Sequence, residues 1–161
     1  VNKRIAVYPG TFDPITYGHL DLLKRTSNIF DEVIVAVAHS VNKKPLFSVA
    51  ERVSMIKKAV KGIANVQVDD FDTLVVDYMK KVKARTIIRG LRMISDFEYE
   101  FQMALTNRQL DPEVETIFMM PNESYCYLSS KLIKEAVMLG ADVEQFVPKE
   151  IAQELLRKLR S

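Results

Sequence analysis

The 161 residues include one cysteine, Cys126, and no tryptophan. A lone thiol excludes an internal disulfide and any cysteine-based metal cluster. Glycine and proline are sparse, at five and six, and no stretch rich in Gly, Ser or Pro forms a linker, repeat or low-complexity segment. One domain over 1–161 is therefore expected, long enough to bury a core without staples. Long apolar runs are missing as well. The longest, Val33 to Ala38, has six residues, against the roughly 20 that a membrane-spanning helix needs. No export-type apolar segment lies near the start, so a cytoplasmic setting and no membrane partner are expected. An excess of one charge is also absent, with 23 Lys plus Arg against 21 Asp plus Glu. That balance disfavours nucleic-acid binding but leaves room for a local cationic cluster on a small polyanion. Only two histidines occur, so the place of each matters.

What is present is an alternation of short β-branched runs with longer amphipathic ones. Strands are expected at 5–8, 33–38, 65–68, 86–89 and 115–120. Helices are expected at 18–30, 49–60, 74–82, 96–109, 129–139 and 149–159. Ser48 and Glu51 have capping-box spacing, which places a helix start there, and Asp96 reads as the cap of the fourth helix. Buried strands each followed by a helix imply right-handed βαβ units and a parallel sheet. The expected fold is α/β, a single doubly wound Rossmann-like domain with a five-stranded parallel sheet and helices on both faces. Ligands of such sheets sit beyond the carboxyl ends of the strands, where strand order reverses.

The first strand ends in Pro9-Gly10-Thr11-Phe12-Asp13-Pro14, then Thr16-Tyr17-Gly18-His19 opens a helix. A helix N-terminus offers unpaired N–H groups and partial positive charge, which suit a phosphate. His19 adds a donor there, though a histidine at a helix start also serves to cap and pack. The motif is neither a Walker loop nor a three-glycine dinucleotide loop. It resembles the T/H-x-G-H signature of the nucleotidyltransferase superfamily, which implies nucleotidyl transfer at an α-phosphate and leaves the acceptor open.

Other strand ends carry the acceptor signal. Lys43-Lys44-Pro45 follows the second strand, and Lys43 is favoured as the inward lysine. Arg89-Gly90-Leu91-Arg92 and Asp96-Phe97-Glu98-Tyr99-Glu100 follow the fourth, and two arginines around a glycine can fork onto phosphate oxygens. Ser129-Ser130-Lys131 follows Tyr125-Cys126-Tyr127-Leu128. Taken together with Glu51-Arg52, Asn107-Arg108 and Lys134-Glu135, these segments closely resemble the bacterial phosphopantetheine adenylyltransferases, nearly from end to end.

That resemblance implies transfer of the adenylyl group of ATP to 4′-phosphopantetheine in coenzyme A biosynthesis, with Mg²⁺ accompanying ATP. Thr11, Lys43, Val75 and Arg89 would contact phosphopantetheine. Thr11, Phe12, His19, Gly90, Leu91, Arg92, Glu100 and the run Tyr125, Cys126, Tyr127, Leu128, Ser129, Ser130 and Lys131 would contact ATP. His19, Lys43 and Arg89 would be the catalytic set. The family's assembly is a homohexamer, and coenzyme A is its feedback inhibitor. Lys131 departs from the usual third serine, and Val75 is smaller than the residue often found there. The rivals are another nucleotidyltransferase of the superfamily and a non-catalytic nucleotide- or coenzyme A-binding module. Arg52, Met55, Ile56 and the Met-rich end of the fifth strand could belong to an interface, although apolar residues are more often core.

Overall fold

A computed structural model describes residues 3–39 and 44–160. Five parallel strands stand in the order β3-β2-β1-β4-β5. They are β1 (Ile5–Gly10), β2 (Glu32–Ala38), β3 (Val66–Phe71), β4 (Thr86–Gly90) and β5 (Glu115–Met119). The chain builds outward from β1 through β2 to β3, then returns to β4 on the other side of β1. Strand order therefore reverses between β1 and β4, and a crevice opens at their carboxyl ends.

Side chains alternate across the sheet with period two, and each face carries its own core. Ala6, Tyr8, Val33, Val35, Val37 and Ile88 pack on one face, under α1 (Tyr17–Ser27), α2 (Val49–Ala59), α5 (Ser130–Met138) and α6 (Lys149–Arg160). Val7, Ile34, Ala36 and Ile87 pack on the other, with Tyr78 and Met79 of α3 (Val75–Lys81). The remaining helix, α4 (Ile94–Leu110), lies against α3 and β5.

Most element boundaries agree with expectation to within a few residues, and Ser48 caps α2 with Glu51 reaching back to its amide at 2.8 Å. Three points differ. Strand β3 runs on to Phe71, because its acidic Asp69 and Asp70 can remain half-exposed on an edge strand. Burial on both faces holds for β1, β2 and β4, while the edge strands β3 and β5 are partly open. The cap of α4 is Met93; Asp96, the third residue of the helix, accepts from the Met93 amide at 3.4 Å. Between interface and core, Ile56 falls in the core and Arg52 is buried too, whereas Met120 is exposed.

Candidate active site

The turn after β1 is built around Phe12. Its backbone is left-handed, with φ of 49°, which turns the ring back against Tyr8 and His19 at centroid distances of 5.2 and 5.1 Å. A Cβ on Gly10 would lie 3.0 Å from that ring, so the close approach favours glycine there. Thr16 then caps α1. Its amide donates to Nδ1 of His19 at 3.0 Å, and its hydroxyl oxygen lies 3.4 Å from the His19 amide that it caps. This is a capping box with histidine in the place usually held by Glu or Gln. The capping role and the site role of His19 are thus one arrangement.

The consequence is chemical. Because Nδ1 accepts from a backbone N–H, the imidazole proton must sit on Nε2. Burial, then the fields of Arg92 and Arg89, lower the His19 pKa to about 3. His19 is therefore a neutral N–H donor near pH 7. Beside it, burial pushes Tyr8 up to about 12 despite both arginines, so that ring is a neutral wall.

Arg89 leaves β4 and is clamped by α4. Its Nε and Nη2 donate to the Glu100 carboxylate at 2.8 and 2.5 Å, and Nη1 donates to the Pro9 carbonyl at 2.6 Å. Burial pulls the guanidinium pKa down, but Glu100 more than offsets this and leaves it raised. Three of the five guanidinium hydrogens are used, and the others remain for a ligand. Arg92 donates to the Leu128 carbonyl and pairs with Asp96 at 3.4 Å, joining the end of β4 to the segment before α5. Ser129 caps α5 through the Leu132 amide at 3.1 Å, its ordinary capping role. Ser130 donates its hydroxyl to the Pro14 carbonyl at 2.7 Å and keeps only acceptor capacity.

These groups border a cleft of about 690 Å³ at the crevice between β1 and β4, which Lys44 and Lys131 also line. Five cations (Lys44, Arg89, Arg92, Lys131, Lys134) face three carboxylates (Asp13, Asp96, Glu100) there. Arg89, Glu100 and Thr11 also border a second cavity of about 220 Å³. Val75, Ala38, Tyr99 and Met103 give it a more apolar wall, and the buried Asn107 borders it too. A positively biased cleft opening beside an apolar slot suits a polyphosphate next to an elongated acceptor.

Of the expected site residues, Thr11, Phe12, His19, Arg89, Gly90, Arg92, Glu100, Tyr125, Ser129, Ser130 and Lys131 meet in the large cleft. Val75 lies in the smaller cavity. Leu91, Cys126, Tyr127 and Leu128 do not border the cleft. The Leu91 amide donates to Met119, Cys126 Sγ donates to the Glu123 carbonyl, and the Tyr127 ring meets Phe146 at 6.2 Å. Lys43 lies outside the described residues. Asp13, Lys134 and Asn107 were not singled out as site residues. Asp13 and Lys134 meet at 2.6 Å across 121 positions, a pairing no local pattern signals. His39 pairs with Asp70 at 2.7 Å and lies outside both cavities.

Among the described residues, no group of three or more His, Cys, Asp or Glu side chains is placed to hold a metal ion, and no helix is long and apolar enough to cross a membrane. The cleft carboxylates are already engaged by Lys134, Arg92 and Arg89.

Comparison with known proteins agrees with this geometry. Residues 7–136 match the cytidylyltransferase-like family. A phosphopantetheine adenylyltransferase from Caldanaerobacter subterraneus is 55% identical over 157 residues, covering 98% of each chain. One from Clostridium novyi is 53% identical over 97% of each chain. A solved structure from Vibrio parahaemolyticus, provisionally assigned as a nicotinate-nucleotide adenylyltransferase, superposes with a TM-score of 0.73. It covers 96% of this chain and 99% of its own at 20% identity, a likeness of fold. The cationic cleft at the β1–β4 switch point thus lies on a nucleotidyltransferase frame, and the chain belongs to the phosphopantetheine adenylyltransferases of the cytidylyltransferase-like family.

Proposed function

We propose that the chain transfers the adenylyl group of ATP to 4′-phosphopantetheine, forming dephospho-coenzyme A and pyrophosphate. The observation that carries this reading is the convergence of a neutral His19 donor, the α1 N-terminus, Arg89 and Arg92 on one cleft that adjoins an apolar slot. An oxygen of the acceptor phosphate attacks the α-phosphorus, the bond to the β-phosphate oxygen breaks, and pyrophosphate leaves with both electrons of that bond. A phosphate monoester is already anionic near neutral pH, so no general base is required, unlike phosphoryl transfer to an alcohol. The barrier lies in bringing two polyanions together and in charge growing on the leaving group.

Each side chain answers part of that barrier. The free hydrogens of Arg89 hold the acceptor phosphate, with the slot beside Val75 and Asn107 taking the pantetheine arm. Lys43 joins Arg89 on the resemblance alone. The Nε2–H of His19 and the amides of α1 stabilise charge at the α-phosphorus, a preorganised arrangement that needs no reorientation. Arg92, Ser129, Lys131 and the backbone amide of Ser130 face the triphosphate. Glu100 contributes by holding Arg89. Mg²⁺ would be held by ATP phosphates and water rather than by a carboxylate cage, and it would supply neutralising charge.

The same reading includes a cytoplasmic homohexamer inhibited by coenzyme A. Support for assembly is the outward face of α4, where Ile94 (92% exposed), Phe97 and Phe101 present apolar surface. Exposed apolar patches of this kind mark interaction surfaces.

The test is pyrophosphate release from ATP with and without 4′-phosphopantetheine, alongside nicotinamide mononucleotide as acceptor and CTP as donor. Release that needs both ATP and phosphopantetheine is expected; activity with another pair would replace the reading. His19→Ala should lower kcat by about 10²–10³ while ATP binding survives. Near-normal turnover in that variant would remove His19 from the mechanism.

A further inference from the structure

Arg52 of α2 is the largest fully buried side chain in the domain, at 2% exposure. Among the described residues its guanidinium donates only to carbonyls: Nε to Phe47 at 3.1 Å, and Nη1 to Thr11 at 2.7 Å and to Ala38 at 3.0 Å. No carboxylate among the described residues forms an ion pair with it. Burial therefore depresses its pKa, with the field of Asp13 opposing. Asp13 itself is occupied, accepting from the amides of Leu46 and Phe47 at 2.9 Å each and from Lys134 at 2.6 Å. The Leu46–Phe47 segment is thus held from both sides, by Arg52 on a carbonyl and by Asp13 on two amides.

Stability alone does not account for this arrangement. A buried cation without a bonded anion costs more than an apolar side chain of similar volume. What the three carbonyls share is position. Thr11 follows β1, Ala38 ends β2, and Phe47 leads into α2. Thr11 and Ala38 both border the smaller cavity with Arg89, and Lys44 and Pro45, just before the held segment, border the larger one. The geometry points to Arg52 as a positioning residue for the acceptor half of the site. It fixes Thr11 and Ala38 relative to Arg89 and keeps a positive charge that bonds no carboxylate among the described residues behind the Thr11 peptide, where the acceptor phosphate approaches. Among the described residues, Arg52 makes no hydrogen bond to His19, Arg92 or the α5 N-terminus, which form the nucleotide half.

This inference rests on the adenylyl-transfer reading, and it predicts an asymmetry between the substrates. Arg52→Lys keeps the charge but not the fork that reaches three carbonyls, and Arg52→Gln loses the charge as well. Steady-state kinetics of both variants, with thermal unfolding and ATP titration in the absence of acceptor, form the experiment. Arg52→Lys should raise the KM for phosphopantetheine about tenfold, the scale at which small displacements in a preorganised site are felt. Its KM for ATP should stay within about twofold and its unfolding should remain cooperative, with Arg52→Gln showing the larger acceptor defect. Equal changes in both KM values, or no change in either, would overturn the inference. So would the failure of both variants to fold, which marks a purely structural residue. If the unaltered chain released no pyrophosphate with phosphopantetheine, the underlying reading would fail instead, a separate outcome.

Discussion

Helices α4 and α6 are turned inside out relative to each other. In α6, Ile151, Ala152 and Leu155 are buried in the core while Arg157 faces outward. In α4 the buried residues are Glu100 and Asn107, and the outward residues are Ile94, Phe97, Phe101 and Leu105. Phe97 and Phe101 stack on each other at 5.5 Å in the open. An amphipathic surface helix normally buries its apolar stripe, and α6 does so. The inner face of α4 instead turns polar groups inward, Glu100 onto Arg89 and Asn107 onto the smaller cavity. Its outer face is left apolar, and in the proposed reading that face packs on a partner copy.

The comparison can be broken most severely at Leu155. Leu155→Ala should cost about 2–5 kcal/mol by cavity formation, read from denaturant unfolding. Phe101→Ala should change the stability of the dissociated chain by no more than about 0.5 kcal/mol, as surface substitutions do. It should shift the assembled mass in light scattering instead. If Phe101→Ala destabilised the dissociated chain as much as Leu155→Ala, α4 would be an ordinary core helix.

Glu100→Gln sharpens the contrast on the inner face of α4. The amide keeps the shape but loses the charge that orients Arg89, and charge-assisted hydrogen bonds contribute about 1.5–3 kcal/mol. A rise of about tenfold or more in the phosphopantetheine KM is expected, with a smaller effect on the KM for ATP. An unchanged acceptor KM would mean that Arg89 is held without Glu100.

The smallest expected effect is on acid sensitivity, and it separates both helices from α1. The folded pKa of His19, about 3, lies below its ordinary value of 6.5. Between those values the unfolded chain binds more protons, so stability rises with pH there. The contribution is complete above pH 6.5 and is lost as pH falls toward 3. Unfolding measured at pH 7 and pH 5 should show a steeper loss in the unaltered chain than in His19→Gln, with the α4 and α6 variants keeping the unaltered slope. Equal slopes in the unaltered chain and His19→Gln would mean that His19 is not held neutral by the fold.

Much of the site was readable because its signals are local. Gly10-Thr11 and Thr16 to His19 announce a strand–turn–helix whose capping chemistry needs only neighbouring residues. Ser48 with Glu51, and Ser129 before α5, are legible for the same reason. Harder cases involved residues with two plausible uses. Asp96 resembles a cap but is the third residue of α4, and Glu100, expected as a ligand contact, accepts from Arg89 through both oxygens while bordering the cleft. Arg52 reads as an interface candidate because arginine is rarely buried, and its three carbonyl partners account for its buried place.

The amino-acid sequence by itself determined the alternation of strands and helices, the turn at Phe12 to His19 and the cationic end of β4. Periodicity, capping and glycine placement act within a few residues, so these features need no knowledge of the whole. Tertiary structure alone decided that Glu100 clamps Arg89, that Asp13 meets Lys134, that Arg52 is buried behind Thr11 and that α4 faces the wrong way for a core helix. Each depends on which helix lands on which sheet face, and that follows from strand order across the β1–β4 crevice rather than from any local pattern.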